Sequence, residues 1–257
     1  NYVRINTYEQ GSSTFLGGPK GKLYNRQDAD AVSLLGARES SVFLTANRIP
    51  GEPHTYSANG FFASEDGLIV TNHHVVARSI EINAIDSKGI SRRAQVVAMN
   101  AVDDLAVLKV DSERGFKSPR FAKEAAQPGD RVLAVTKQVG DRSLSIGPGK
   151  IESIEQVPIR VRPLGTGVKV TGPNSYNPVD HTFKFNSELP SGSHQANSER
   201  LFGTYFSKPG ASGSPLLNAN GEVVAVLSGG MNGKNYAVPA KSIAEILSEA
   251  RKNLASK

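Results

Sequence analysis

The sequence predicts an all-β protein closed by a single C-terminal helix, and three observations carry that prediction. Many short β-rich runs alternate with clusters of Gly, Pro, Asn and Asp, the punctuation of a sandwich or a pair of barrels. No apolar run reaches the roughly 18 residues that a membrane helix requires; the runs at 68–70 and 223–227 are short and suit buried strands. Near the end, Ile243, Ile246, Leu247, Ala250 and Leu254 recur at helical spacing, so 240–254 forms an amphipathic helix packed on the body.

In chain order, residues 1–38 are polar and turn-rich, with Gly11-Ser12-Ser13 and Gly17-Gly18-Pro19, and read as an arm or propeptide remnant rather than a domain. One short helix is expected over 28–35, capped by Asp28 and stopped at Gly36. The β texture starts at Ser41. Strands are expected at 41–46, 60–63, 68–71, 79–84, 94–98, 105–110, 131–135 and 149–154. Further strands are expected at 159–161, 168–170, 182–185, 214–217, 223–227 and 235–238. The stretch 158–200 is rich in Gly, Pro, Ser and Asn and reads mainly as a long functional or partly disordered loop. No internal repeat is visible.

The chain of 257 residues suffices for one all-β domain of ordinary globular composition, with 38% hydrophobic and 21% charged residues. It contains no cysteine, which excludes disulfides and cysteine metal ligands and leaves the compartment open. The net charge of +6 comes without any aromatic-interleaved basic motif, so it reads as a solvated basic surface and no nucleic-acid partner is expected. The five histidines show no metal-ligand spacing, and His73 and His74, placed on a strand, would face opposite ways; no metal and no other cofactor is expected. The chain opens on Asn1 without an apolar cleavable leader, as expected of a processed or trimmed product.

Three motifs carry chemistry. Pro209-Gly210-Ala211-Ser212-Gly213-Ser214-Pro215 presents a serine between glycines that allow a sharp turn. A serine hydroxyl is a poor nucleophile unless a base takes its proton, and that base must be oriented by a third group. Thr71-Asn72-His73-His74-Val75-Val76 offers two candidate bases. Asp103-Asp104-Leu105-Ala106-Val107-Leu108 offers the carboxylate. Asp104 is the better candidate because it immediately precedes the 105–110 strand, which leaves Asp103 solvated. The N–H groups of Gly210 and Ser212 are the expected oxyanion hole.

These residues resemble the trypsin-like serine proteases, nearest the HtrA (Deg) pattern. Thr71-Asn72-His73-His74-Val75 is similar to that group's Thr-Asn-x-His-Val, and Asp104-Leu105-Ala106-Val107-Leu108 to its Asp-Leu-Ala-Val-Leu. Gly129-Asp130, Asn220-Gly221 and Tyr236-Ala237-Val238-Pro239 extend the likeness over roughly 40–240. The resemblance implies two six-stranded antiparallel β-barrels (chymotrypsin-like) within 39–257, barrel one at about 39–125 and barrel two at about 126–239, followed by the helix. It implies a serine endopeptidase of the bacterial periplasm or exterior acting on proteins or peptides, with His74, Asp104 and Ser212 catalytic and His73 structural. The substrate pocket it implies has Tyr205, Phe206 and Ser207 on one wall and Ser228, Gly229 and Gly230 on the other, with Ser228 also touching Asp104. Because relatives trimerise through N-terminal segments, it also implies assembly of like chains through the arm.

There are departures. Ala211 stands where animal trypsins have the aspartate that receives the new N-terminus on activation. Leu227 replaces a histidine of glutamyl endopeptidases, and no acidic residue lies at the expected pocket base, so a small or medium apolar side chain is the expected preference. No PDZ domain is expected after the helix. A catalytically silent peptide-binding module on the same fold is the other reading.

Overall fold

A computed structural model describes residues 2–7, 20–25, 36–48, 56–111, 115–137, 144–164, 167–173, 175–177, 182–185, 188, 191–205, 210–231 and 233–256. The helix expected at 28–35 lies outside them; residues 36–40 are helical.

The all-β prediction holds. Strands β1 (Tyr2–Thr7) and β2 (Lys20–Asn25) come first. Then follow β3 (Ser41–Arg48), β4 (Tyr56–Phe62), β5 (Leu68–Thr71), β6 (Ser79–Ile85), β7 (Ser91–Asn100) and β8 (Leu105–Val110). These last six close into an antiparallel barrel in the order β3-β4-β5-β8-β7-β6. Its interior is filled by Val42, Leu44, Phe62, Ile69, Ala106 and Leu108. Strand β5 is buried on both faces, which is why Leu68-Ile69-Val70 is uniformly apolar rather than alternating.

The second half contains β9 (Arg131–Lys137), β10 (Leu144–Leu164), β11 (Gly167–Thr171), β12 (Ser175–Asn177), β13 (Thr182–Lys184) and β14 (His194–Gly203). It ends with β15 (Pro215–Leu217), β16 (Val223–Met231) and β17 (Lys234–Pro239). The path β14-β17-β16-β15-β9-β10 returns on itself because β10 also pairs with β14, giving a second six-stranded ring. Strand β11 lies on β10, β12 and β13 form a separate ribbon, and β1 joins β10 in parallel with β2 at its side. Residues 2–7 and 20–25 of the expected arm are therefore strands of this sheet.

The segment 158–200 differs from the long loop expected there. Its two ends are the far half of β10 and the near half of β14, paired from Ile151↔Gly203 out to Val161↔His194. Alternation explains it: Val157, Ile159 and Val161 are buried and pack with Phe202, whereas Arg162 is exposed.

The two barrels meet over Phe61, Val70, Val107, Val135, Leu217 and Val226. The C-terminal helix Ala240–Ala255 covers this junction, burying Ile243, Ile246 and Ala250 in the same cluster. It reaches barrel one through Asn253 Nδ2, which donates to the Val97 carbonyl at 2.9 Å.

Candidate active site

The three side chains singled out in the sequence meet at the barrel junction. His73 and His74 lie not on a strand, as expected, but on a single helical turn, His73–Val76, directly after β5. The turn starts where the buried strand ends, and Val75 and Val76 anchor it in the core of barrel one. Opposite it, Asp104 occupies the turn before β8 with φ of 55°, a left-handed conformation that Asp tolerates better than most residues. The Asp104 carbonyl accepts from the His73 N–H at 3.1 Å and from Asn72 Nδ2 at 3.0 Å, which locks the two segments together.

The Asp104 carboxylate is saturated with donors. Oδ1 accepts the His74 backbone N–H at 2.9 Å, and Oδ2 accepts His74 Nδ1–H at 2.8 Å and the Ser228 hydroxyl at 2.5 Å. Burial pushes this carboxyl up, yet those donors and the His74 ring outweigh it and hold it below its ordinary value. An ionised Asp104 fixes the His74 tautomer with its proton on Nδ1. His74 Nε2 is then an acceptor 3.1 Å from Ser212 Oγ, which also lies 3.2 Å from the Ser228 carbonyl.

Ser212 sits on a loop whose shape depends on glycine. Gly213 has φ of +83°, and a Cβ there would stand 1.9 Å from the Asn59 carbonyl oxygen, so no other residue fits. Gly210, at φ of +87°, opens the turn from the other side. Ala211 is fully buried among Ala134, Leu201, Leu216 and Leu227, an apolar setting that suits its lack of charge.

Beside His74 and Asp104 lies a cavity of about 560 Å³. His73, His74, Asp104, Ser228, Gly229 and Gly230 border it, with Val157, Ile159, Phe202, Met231 and Tyr236 giving it an apolar wall. Strand β15 pairs with β16 only as far as Val226, and no described strand pairs with 228–230 on that edge, which runs along the cavity and suits an extended peptide. Of the expected pocket residues, Ser228, Gly229 and Gly230 border this space. Tyr205 does not: it is fully buried in barrel two, its hydroxyl donating to the Leu201 carbonyl. Phe206 and Ser207 lie outside the described residues.

His73 is half-buried at the cavity rim, and burial pushes its pKa below the ordinary value despite Asp104, so its ring is neutral at neutral pH. Asp103 is not solvated as expected. Its Oδ1 accepts the Ser198 hydroxyl at 2.5 Å, Oδ2 accepts Asn100 Nδ2 at 3.0 Å, and Arg200 stands 3.9 Å away. Arg200, buried in β14, also donates to the Val102 carbonyl at 3.0 Å and to Ser198 Oγ, tying barrel two to the turn that carries Asp104. No motif announced Arg200, since an isolated arginine in a polar segment reads as surface. Asn59 was equally silent, since a lone Asn beside a glycine reads as a turn residue, whereas the structure buries it on β4.

Two antiparallel β-barrels with a Ser–His–Asp chain of hydrogen bonds at their junction define the chymotrypsin-like class. The chain belongs to the trypsin-like peptidase domain family, whose model matches residues 58–226. It is 30% identical over 196 residues to a probable periplasmic serine endoprotease, DegP-like, of Rhizobium meliloti (strain 1021), covering 74% of this chain and 32% of that one. To the serine protease HTRA1A of Danio rerio it is 26% identical over 201 residues, covering 76% of this chain and 36% of the relative. The chain thus spans about a third of the length of the curated relatives it matches. Its fold is shared with the active form of the Rv3671c protease from M. tuberculosis, at a TM-score of 0.66 and 21% identity over 85% of this chain and 83% of that one.

Proposed function

We propose that the protein is a serine endopeptidase that cleaves peptide bonds through an acyl-enzyme on Ser212. The observation that carries this reading is the unbroken chain Ser212 Oγ, His74 Nε2, His74 Nδ1, Asp104 Oδ2, with links of 3.1 and 2.8 Å. His74 takes the Ser212 proton as Oγ attacks the carbonyl carbon, and the Gly210 and Ser212 N–H groups receive the developing oxyanion. The imidazolium then gives that proton to the leaving amine, which departs. Water, deprotonated by His74, attacks the acyl carbon, and Ser212 leaves as the alcohol. Asp104 remains a carboxylate throughout, holding the ring orientation and stabilising its charge.

A peptide substrate lies extended along 228–230, its side chains against the apolar wall of the cavity. The names of the bacterial relatives support a periplasmic or secreted setting. No described helix is long and apolar enough to cross a membrane. Digestion of a proteome-derived peptide library tests the reading: the wild type cleaves, enriching a common residue before the cut, and Ser212→Ala yields no products. A folded wild type that cleaves nothing, or an equally active Ser212→Ala, overturns it.

A further inference from the structure

An oxyanion hole works only if its loop is already in shape when the substrate arrives. Where animal trypsins carry an acidic residue this chain has the buried, uncharged Ala211, so the loop here is held by other contacts. Asn59, on β4 of barrel one and only 1% exposed, touches the loop at several points. Its backbone N–H donates to the Ser212 carbonyl at 2.8 Å, and its side-chain Nδ2 donates to the Gly210 carbonyl at 2.6 Å. Its Oδ1 accepts the Lys137 backbone N–H at 2.6 Å from β9 of barrel two, and its own carbonyl accepts the Thr71 hydroxyl at 2.7 Å.

The carbonyls on either side of Ala211 are thus turned onto one residue, and the Ala211 carbonyl between them accepts the Ser214 N–H at 3.1 Å. In a trans peptide the N–H points opposite to the C=O. Holding the Ala211 carbonyl to Ser214 therefore aims the Ser212 N–H away from the loop's interior. Holding the Gly210 carbonyl to Nδ2 fixes the frame, at φ of +87°, from which the Gly210 N–H projects. Among the hydrogen bonds between described residues, neither the Gly210 nor the Ser212 N–H is a donor.

We infer that Asn59 is a positioning residue that preforms the oxyanion hole from the opposite barrel, its carboxamide bridging Gly210 and Lys137. The inference rests on the serine-peptidase reading. An amide suits the place because it supplies a donor to one partner and an acceptor to the other in one plane. Aspartate keeps the acceptor but sets an oxygen against the Gly210 carbonyl; alanine removes both contacts.

The test compares wild type with Asn59→Asp and Asn59→Ala, each checked for fold by circular dichroism and a cooperative melt. It uses a chromogenic peptide substrate taken from the library cleavages, the matching peptide boronic acid, and the matching uncleavable peptide. Loss of a preformed donor predicts that kcat/KM falls about 100-fold in a folded variant and boronate affinity falls in parallel. Affinity for the uncleavable peptide stays within about twofold, because ground-state binding does not use the hole. A purely structural role would weaken all three together. Folded variants with kcat/KM and boronate binding equal to wild type overturn the role of Asn59 and leave the peptidase reading intact. A folded wild type inert to every probe overturns both. If the aspartate does not fold, the alanine variant carries the comparison.

Discussion

Asp104 is where local strain and chemistry coincide. Its left-handed backbone is sustained because the carbonyl is claimed by His73 and Asn72 while the carboxylate is claimed by His74 twice and Ser228 once. Asp104→Asn keeps the size and the backbone preference but offers an N–H where His74 Nδ1–H needs an acceptor. The ring then settles in the other tautomer, with Nε2 protonated and no lone pair for Ser212. The expected outcome is a folded protein whose kcat falls about 10⁴-fold, measured on the peptide substrate; a loss below tenfold would show that the carboxylate is not orienting the base. At this scale the sequence was most informative. Ser212, Asp104 and one of two adjacent histidines could be picked from residue chemistry, and family resemblance separated His74 from His73. Asp103 was misread as solvated because its partners Ser198 and Arg200 lie almost a hundred residues away in the chain, and a side chain's fate there depends on folding rather than on its neighbours.

Strands with apolar residues on their inward face were legible as elements. The run β5, the β8 strand and the apolar part of β16 all announced themselves. Strand β14 did not, although it completes the second ring. Its buried positions include Ser198 and Arg200, which face the other barrel, so polar residues break the period-two apolar pattern. The far half of β10 was legible only as the separate strand expected at 159–161, because Pro158 and the Gly- and Asn-rich segment beyond it hid its continuity with 149–154. Adjacent histidines were assigned to a strand because nothing in one helical turn distinguishes it from the end of the strand it follows. The C-terminal helix was the opposite case, since its spacing marked the buried face directly. Ile246 is 2% exposed at the barrel junction, so Ile246→Ala leaves a cavity there and is expected to cost about 2–5 kcal/mol in urea denaturation. A change under 0.5 kcal/mol would show that the helix only rests on the surface.

For the molecule as a whole, the site exists only because two barrels are held in register. Each barrel has its own apolar core, and a shared cluster under the helix joins them. The polar seam then sets the alignment: Asn59 to Gly210 and Lys137, Arg200 to Val102, and Lys137 Nζ to the Ile85 carbonyl at 3.0 Å. None of that seam was readable from sequence, because each contact pairs residues from distant segments whose meeting only the fold decides. What sequence did supply was the order of the reactive residues, which matched a His and Asp in one barrel and a Ser in the other. Whether that arrangement makes Ser212 a nucleophile is decided most directly by intact-mass spectrometry after treatment with a fluorophosphonate. The account predicts one covalent adduct per chain, mapping to Ser212 and absent from His74→Ala. A folded, unblocked protein that acquires no adduct, or one modified at a different residue, would contradict it.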